Sequence, residues 1–176
     1  MLDLGTILGV WAHPDDDIYL SAGLMTVAAA AGNRVVDVTA TRGEGGSMDY
    51  QRWPADRMAE VRSEEMRRSL EILGVAEHRF LDGVIDVDME TPLDASGARQ
   101  VSAIMREVRP DTVLTFGPDG MTGHPDHISV GRWTTAAHAE AAPNALLAYA
   151  TNTPEWLAEF REPLDRLNVF MGAEPP

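Results

Sequence analysis

Apolar residues along this chain alternate between short continuous runs and longer stretches where they recur every three or four positions. Residues 6–11, Thr-Ile-Leu-Gly-Val-Trp, form the first run and predict a buried strand. Residues 18–31, rich in Ala, Leu and Met, predict a helix that stops at Gly32. The β-branched stretch 34–39 predicts a second strand and completes a βαβ unit. Across 56–73, Met58, Val61, Met66, Leu70 and Leu73 share one side of an amphipathic helix closed by Gly74. A short strand at 79–81 and an acidic loop at 82–94 come next, then a helix marked by Val101, Ile104, Met105 and Val108 and ended by Pro110. A strand at 112–116, a loop at 117–122, a helix at 128–142 and a strand at 146–150 complete the pattern, and 151–176 shows no clear period. Strand and helix alternate without internal repeats, which predicts a parallel, doubly wound α/β sheet.

Composition narrows the function. With 176 residues, 44% of them hydrophobic, the chain suits one domain spanning 1–176. All 14 basic residues are Arg, against 28 acidic ones, and the net charge of -14 disfavours nucleic acid and anionic membranes as partners. No Cys is present, so thiolate chemistry and Cys-ligated zinc are excluded and any metal ligands must be His and carboxylate. The first residues, Met1-Leu2-Asp3-Leu4, carry no basic region, and no stretch reaches the ~18 apolar residues of a membrane span, so a soluble, cytoplasmic protein is expected.

The chemistry gathers at two strand ends. Trp11-Ala12-His13-Pro14-Asp15-Asp16-Asp17 closes the first strand, and Gly123-His124-Pro125-Asp126-His127 follows the strand at 112–116. In open α/β sheets ligands bind at that edge, so the two clusters suggest one metal site. His13, Asp16 and His127 can supply the three ligands of a catalytic zinc, with Asp15 left free as general base and His124 placed to donate to an oxyanion. One of the three aspartates is expected to cap the following helix, and Asp126 to cap the helix from Ile128. His78 and His138, outside both clusters, read as surface or capping residues. The glycine-rich stretch 41–47 reads equally as a flexible turn or as a substrate loop bringing Arg42 or Glu44 to the site. Arg57, Arg62, Arg67 and Arg68 read as a solvated face paired with Glu60, Glu64, Glu65 and Glu71. A mononuclear iron oxygenase also uses two His and a carboxylate, but that site sits on all-β scaffolds, unlike this alternating chain.

At these residues the sequence resembles the PIG-L/LmbE-like family of zinc-dependent N-acetylglucosaminyl deacetylases. Ala12-His13-Pro14-Asp15-Asp16-Asp17 matches the family's Ala-His-Pro-Asp-Asp-Glu except at Asp17, and Gly123 to His127 matches Gly-His-Pro-Asp-His fully. Thr41-Arg42-Gly43-Glu44-Gly45, Arg62 and Glu65 before Leu73-Gly74-Val75, and Arg109-Pro110-Asp111 extend the similarity. The resemblance implies a Rossmann-like three-layer sandwich with a mostly parallel sheet. It also implies zinc on His13, Asp16 and His127, Asp15 as general base, His124 at the oxyanion, and Arg62 on the substrate's sugar side. The same ligands would accept Fe2+, Co2+ or Mn2+. The expected activity is removal of the acetyl group from an N-acetylglucosamine-type sugar or conjugate, a small-molecule substrate. The alternatives are an amidase acting on thiol-conjugated glucosaminyl compounds and a non-catalytic, metal-binding member. Family members usually continue past the equivalent of Pro176, which implies a short C-terminal side and a possible homo-oligomer covering it.

Overall fold

The computed structural model describes residues 4–87, 93 and 95–170. Five strands form one sheet: β1 (Ile7–Trp11), β2 (Val35–Thr39), β3 (Glu77–Phe80), β4 (Thr112–Phe116) and β5 (Leu146–Ala150). Their order is β3-β2-β1-β4-β5, with every neighbouring pair parallel. The three inner strands are buried on both faces, which is why they read as continuous apolar runs rather than alternating ones.

Helices α1 (Asp16–Ala30), α2 (Ala55–Leu73), α3 (Ser96–Val108) and α4 (Pro125–Ala141) make the crossovers. The right-handed crossover rule puts α1 and α2 on one face of the sheet and α3 and α4 on the other, because the strand order reverses between β1 and β4. The core runs through the sheet from Met66 and Leu70 on α2 to Val101 and Met105 on α3. Gly131 lets α4 lie close to β4, since a Cβ there would stand 2.8 Å from the Phe116 carbonyl oxygen.

The reversal shapes the functional edge. β1 and β4 pair only from Ile7↔Thr112 to Gly9↔Leu114, two residues short of the end of either strand. Beyond that point the Thr115 hydroxyl donates to the Val10 carbonyl at 3.0 Å, and the rings of Trp11 and Phe116 meet edge to face. A crevice therefore opens at the switch point of the sheet.

Several expectations shift at their edges. Helix α1 starts at Asp16 rather than 18, and β3 starts two residues earlier than predicted. Helix α4 starts at Pro125, so Asp126 lies inside its first turn and His124 is the N-cap, its Nδ1 accepting from the Asp126 N–H. Pro at the first helical position fits because it lacks the donor that would go unpaired there. The stretch after 151, which shows no clear period in the sequence, contains α5 (Pro154–Arg166), capped by Thr153 accepting from Trp156 N. Of the predicted acidic loop, residues 88–92 and 94 lie outside the described residues, as do 171–176. Among the described residues no helix is long and apolar enough to cross a membrane.

Candidate metal centre

The two motifs meet across the crevice. His13, Asp16 and His127, all buried, place ligand atoms within 4.8 Å of one another. One Asp16 oxygen lies 3.3 Å from His127 Nε2, and the other 3.7 Å from His13 Nδ1. That second oxygen also accepts the His13 backbone N–H at 2.8 Å, which folds the tetrapeptide between them back on itself.

Hydrogen bonds fix each imidazole. His13 Nε2 lies 3.0 Å from Asp126 Oδ2. An ionised carboxylate only accepts, so Nε2 carries the proton and Nδ1 offers its lone pair toward Asp16. His127 Nδ1 lies 3.0 Å from the Gly120 carbonyl, again an acceptor, which leaves His127 Nε2 with the lone pair. Both free lone pairs face Asp16. Phe116 stacks on the His127 ring at 4.1 Å and holds its plane. His124 takes the opposite tautomer to His127: its Nδ1 accepts from the Asp126 N–H, so its proton sits on Nε2, as an oxyanion donor requires.

The charges agree with the neutral forms of His124 and His127, whereas the carboxylates around His13 favour its protonated form unless a cation takes the proton's place. Burial, then the nearby His13 and His127, lower His124 to about 4, and burial and His13 lower His127 to about 3, so both rings are neutral at neutral pH. Burial opposes a charge on His13, but the hydrogen bond to Asp126 and the surrounding carboxylates outweigh it and raise its pKa. Burial raises Asp16, with His13 partly offsetting it. A bound cation would favour the ionised carboxylate instead.

Asp15 stands beside this cluster, half exposed, with φ 135°. It occupies the N-cap position of α1 without making a side-chain capping bond, so the expected aspartate cap is absent: Asp16 is turned to His13, and Asp17 is buried inward. Burial raises the Asp15 pKa and Arg62 pulls it back.

The remaining expected residues fall as follows. Arg62 does not lie on a solvated face; its Nη2 donates to Asp15 Oδ2 at 2.9 Å and to the Pro14 carbonyl at 2.6 Å. Arg42 lies over the Phe80 ring and donates to Ser63, and the Glu44 carboxylate accepts from the N–H groups of Arg42 and Asp86. These contacts are internal to the protein. His78 is neither a surface nor a capping residue: it sits in β3, 3.1 Å from the Thr39 hydroxyl. His138, in the last turn of α4, lies 2.9 Å from the Ala145 carbonyl.

Two carboxylates of the site escaped the sequence reading. Asp126, expected only as a cap, orients His13. Asp86, in the loop after β3, is buried against Gly45 and its charge acts on His13. Its signal was an acidic residue just past a strand end on the same sheet edge.

Comparison with known proteins follows the same residues. The family described as PIG-L, GlcNAc-PI de-N-acetylase, matches residues 8–138. A 1D-myo-inositol 2-acetamido-2-deoxy-alpha-D-glucopyranoside deacetylase of Kineococcus radiotolerans is 37% identical over 164 residues, covering 77% of this chain and 45% of that protein. The protein of the same description from Rhodococcus erythropolis is 34% identical over 185 residues, covering 91% of this chain and 63% of its own. The chain thus spans about half the length of the first of these relatives. Among solved structures, N,N'-diacetylchitobiose deacetylase from Pyrococcus horikoshii superposes with TM-score 0.73 at 22% identity, covering 98% of this chain and 72% of that one. The 4-carboxy-2-hydroxymuconate hydratase GalB of Pseudomonas putida superposes at 0.64 and 23% identity, covering 86% and 63%. One fold thus carries both a deacetylase and a hydratase, so the reaction has to be argued from the site.

Proposed function

Because the chain belongs to the PIG-L family, described as GlcNAc-PI de-N-acetylase, we propose that it is a metal-dependent hydrolase that removes the acetyl group from an N-acetylglucosamine-type sugar or conjugate. The observation that carries this reading is the convergence of two imidazole lone pairs and the Asp16 carboxylate beside an unligated Asp15. That donor set suits a zinc site of three protein ligands with a coordination position open, and the same donors accept Fe2+, Co2+ or Mn2+. A zinc ion on His13, Asp16 and His127 would lower the pKa of a water to roughly 7 and polarise the amide carbonyl.

The chain's own residues divide the rest of the work. Asp15 takes the proton from the attacking water as its oxygen bonds to the acetyl carbon. His124 donates its Nε2–H to the oxygen that gains negative charge, and it does so as a neutral imidazole. Asp15 then passes the proton to the nitrogen as the C–N bond breaks, leaving a free amine and acetic acid, which loses the second water proton to solvent as acetate. The substrate in this reading is a small N-acetyl amino sugar conjugate met in the cytoplasm.

Release of free amine from a panel of N-acetylglucosamine conjugates tests the proposal, using metal-free protein, zinc-restored protein and Asp15→Asn. Turnover that needs metal and falls by about 10²-fold or more in Asp15→Asn, with metal still bound, is the expected result. Metal binding without turnover on any conjugate would overturn it.

A further inference from the structure

Arg62 comes to Asp15 through the glycine-rich loop. A Cβ on Gly43, where φ is 71°, would collide with the Arg62 guanidinium, and one on Gly46 would stand 2.9 Å from its Nη1. Side chains at either position would close the path. Past this collar Nη2 makes two bonds, to the Pro14 carbonyl and to the Asp15 carboxylate. Pro14 and Asp15 are the two residues that separate the ligands His13 and Asp16.

This turn needs holding. Asp15 has φ 135° and ψ -26°, outside the regions L-residues favour, and such a conformation persists only where its surroundings over-determine it. Its carbonyl accepts the Ile18 and Tyr19 N–H groups at 2.9 and 3.0 Å, so the same residue starts α1. The Arg62 side chain is 18% exposed and its partner carboxylate 50%, which makes the guanidinium the anchored member of the pair. Both bonds leave the single Nη2, so the clamp depends on how far that nitrogen reaches, and a lysine stem ends about one bond short of it.

We infer that Arg62 is the positioning residue of the candidate base: it clamps the Pro14-Asp15 turn between the two metal ligands, and Gly43 and Gly46 form the collar through which it reaches. Its role in turnover rests on the deacetylase reading; its grip on the turn does not. This also gives the glycine-rich loop a purpose other than contacting substrate.

The test compares whole wild-type protein with Arg62→Ala, Arg62→Lys and Gly43→Ala. Amide hydrogen exchange at Ile18 and Tyr19, read by NMR with and without zinc, reports the turn directly. The clamp predicts exchange faster by about tenfold in Arg62→Ala and Gly43→Ala, because opening the first turn becomes easier. Sub-denaturing guanidinium should restore Arg62→Ala toward wild type. Turnover should fall about 10²-fold in kcat with KM within about threefold and zinc retained, as expected for a misplaced catalytic group. Arg62→Lys gives the same comparison if the alanine variant fails to fold. Unchanged exchange in Arg62→Ala and Gly43→Ala, or a loss confined to KM, would overturn the inference. Wild-type protein that cleaves no amide would overturn the deacetylase reading alone, and the exchange rates would still decide the clamp.

Discussion

Asp126 is not one of the expected ligands, yet removing it should weaken metal binding. A neutral imidazole carries its proton on either nitrogen, and only the Nε2–H form of His13 leaves Nδ1 free toward Asp16. The Asp126 carboxylate, fully buried and 3.0 Å from Nε2, selects that form. Asp126→Ala abolishes the selection and leaves a buried N–H without its acceptor. Losing such an outer partner typically costs 10- to 100-fold in metal affinity, or about 1.4–2.7 kcal/mol. Asp126→Asn keeps an acceptor oxygen of the same reach without its charge, so its loss should be smaller, below about tenfold. Neither change touches the Asp126 main-chain N–H that fixes His124. Competition with a chromophoric chelator at fixed pH gives the two affinities, and urea unfolding of the metal-free variants separates global destabilisation from local misorientation. Asp126→Ala binding zinc as tightly as wild type would refute the tautomer argument.

Three further outcomes follow from the same geometry. His124→Ala should lower kcat by about 10²–10³-fold with metal affinity unchanged, as measured by steady-state kinetics and chelator competition, since the proposed role of His124 is that of a donor rather than a ligand. Burial pushes Asp17 up to about 6 from 3.8, so its folded-state charge costs stability progressively as pH rises through that window. Metal-free Asp17→Asn should therefore exceed wild type at pH 8 by at most about 3 kcal/mol in urea unfolding and converge with it below pH 4; a gap independent of pH would contradict this. Gly131→Ala gains about 1 kcal/mol of helix propensity but drives its Cβ against the Phe116 carbonyl, where overpacking costs roughly 1–3 kcal/mol. The expected net is a loss of about 1 kcal/mol in urea unfolding, with weaker metal binding because α4 carries His127.

The sheet and its crossovers were legible because β1, β2 and β4 are buried on both faces, and their apolar runs stand out from the periodic helices between them. Helix α5 was missed although Trp156, Leu157, Phe160 and Leu164 recur at helical spacing, because Pro163 interrupts the pattern; Thr153 followed by Pro154 marks its start. The ligand trio could be proposed from two motifs at two strand ends, but the hydrogen bonds that orient it could not. Asp126 looks like a cap because it stands at a helix start, and its partner lies 113 residues away. Arg62 looks like a surface residue because its helix neighbours Glu64, Arg67 and Arg68 pair with one another in solvent. Only the tertiary approach of the glycine-rich loop separates it from them.

The early end of the β1–β4 ladder also bears on the order in which the molecule assembles. The β1-α1-β2 unit closes over a few tens of residues, whereas the contacts that join β1 to β4 span more than a hundred, as in the 105 residues between Val10 and Thr115. Long-range pairings of this kind form slowly, because loop closure costs entropy before any contact rewards it. His13 and Asp16 ride on the early unit, and His127 arrives only with β4. On the metal-site reading, a nascent chain would have no complete ligand set until β1 and β4 meet, so metal capture would follow that step of folding rather than guide the first one.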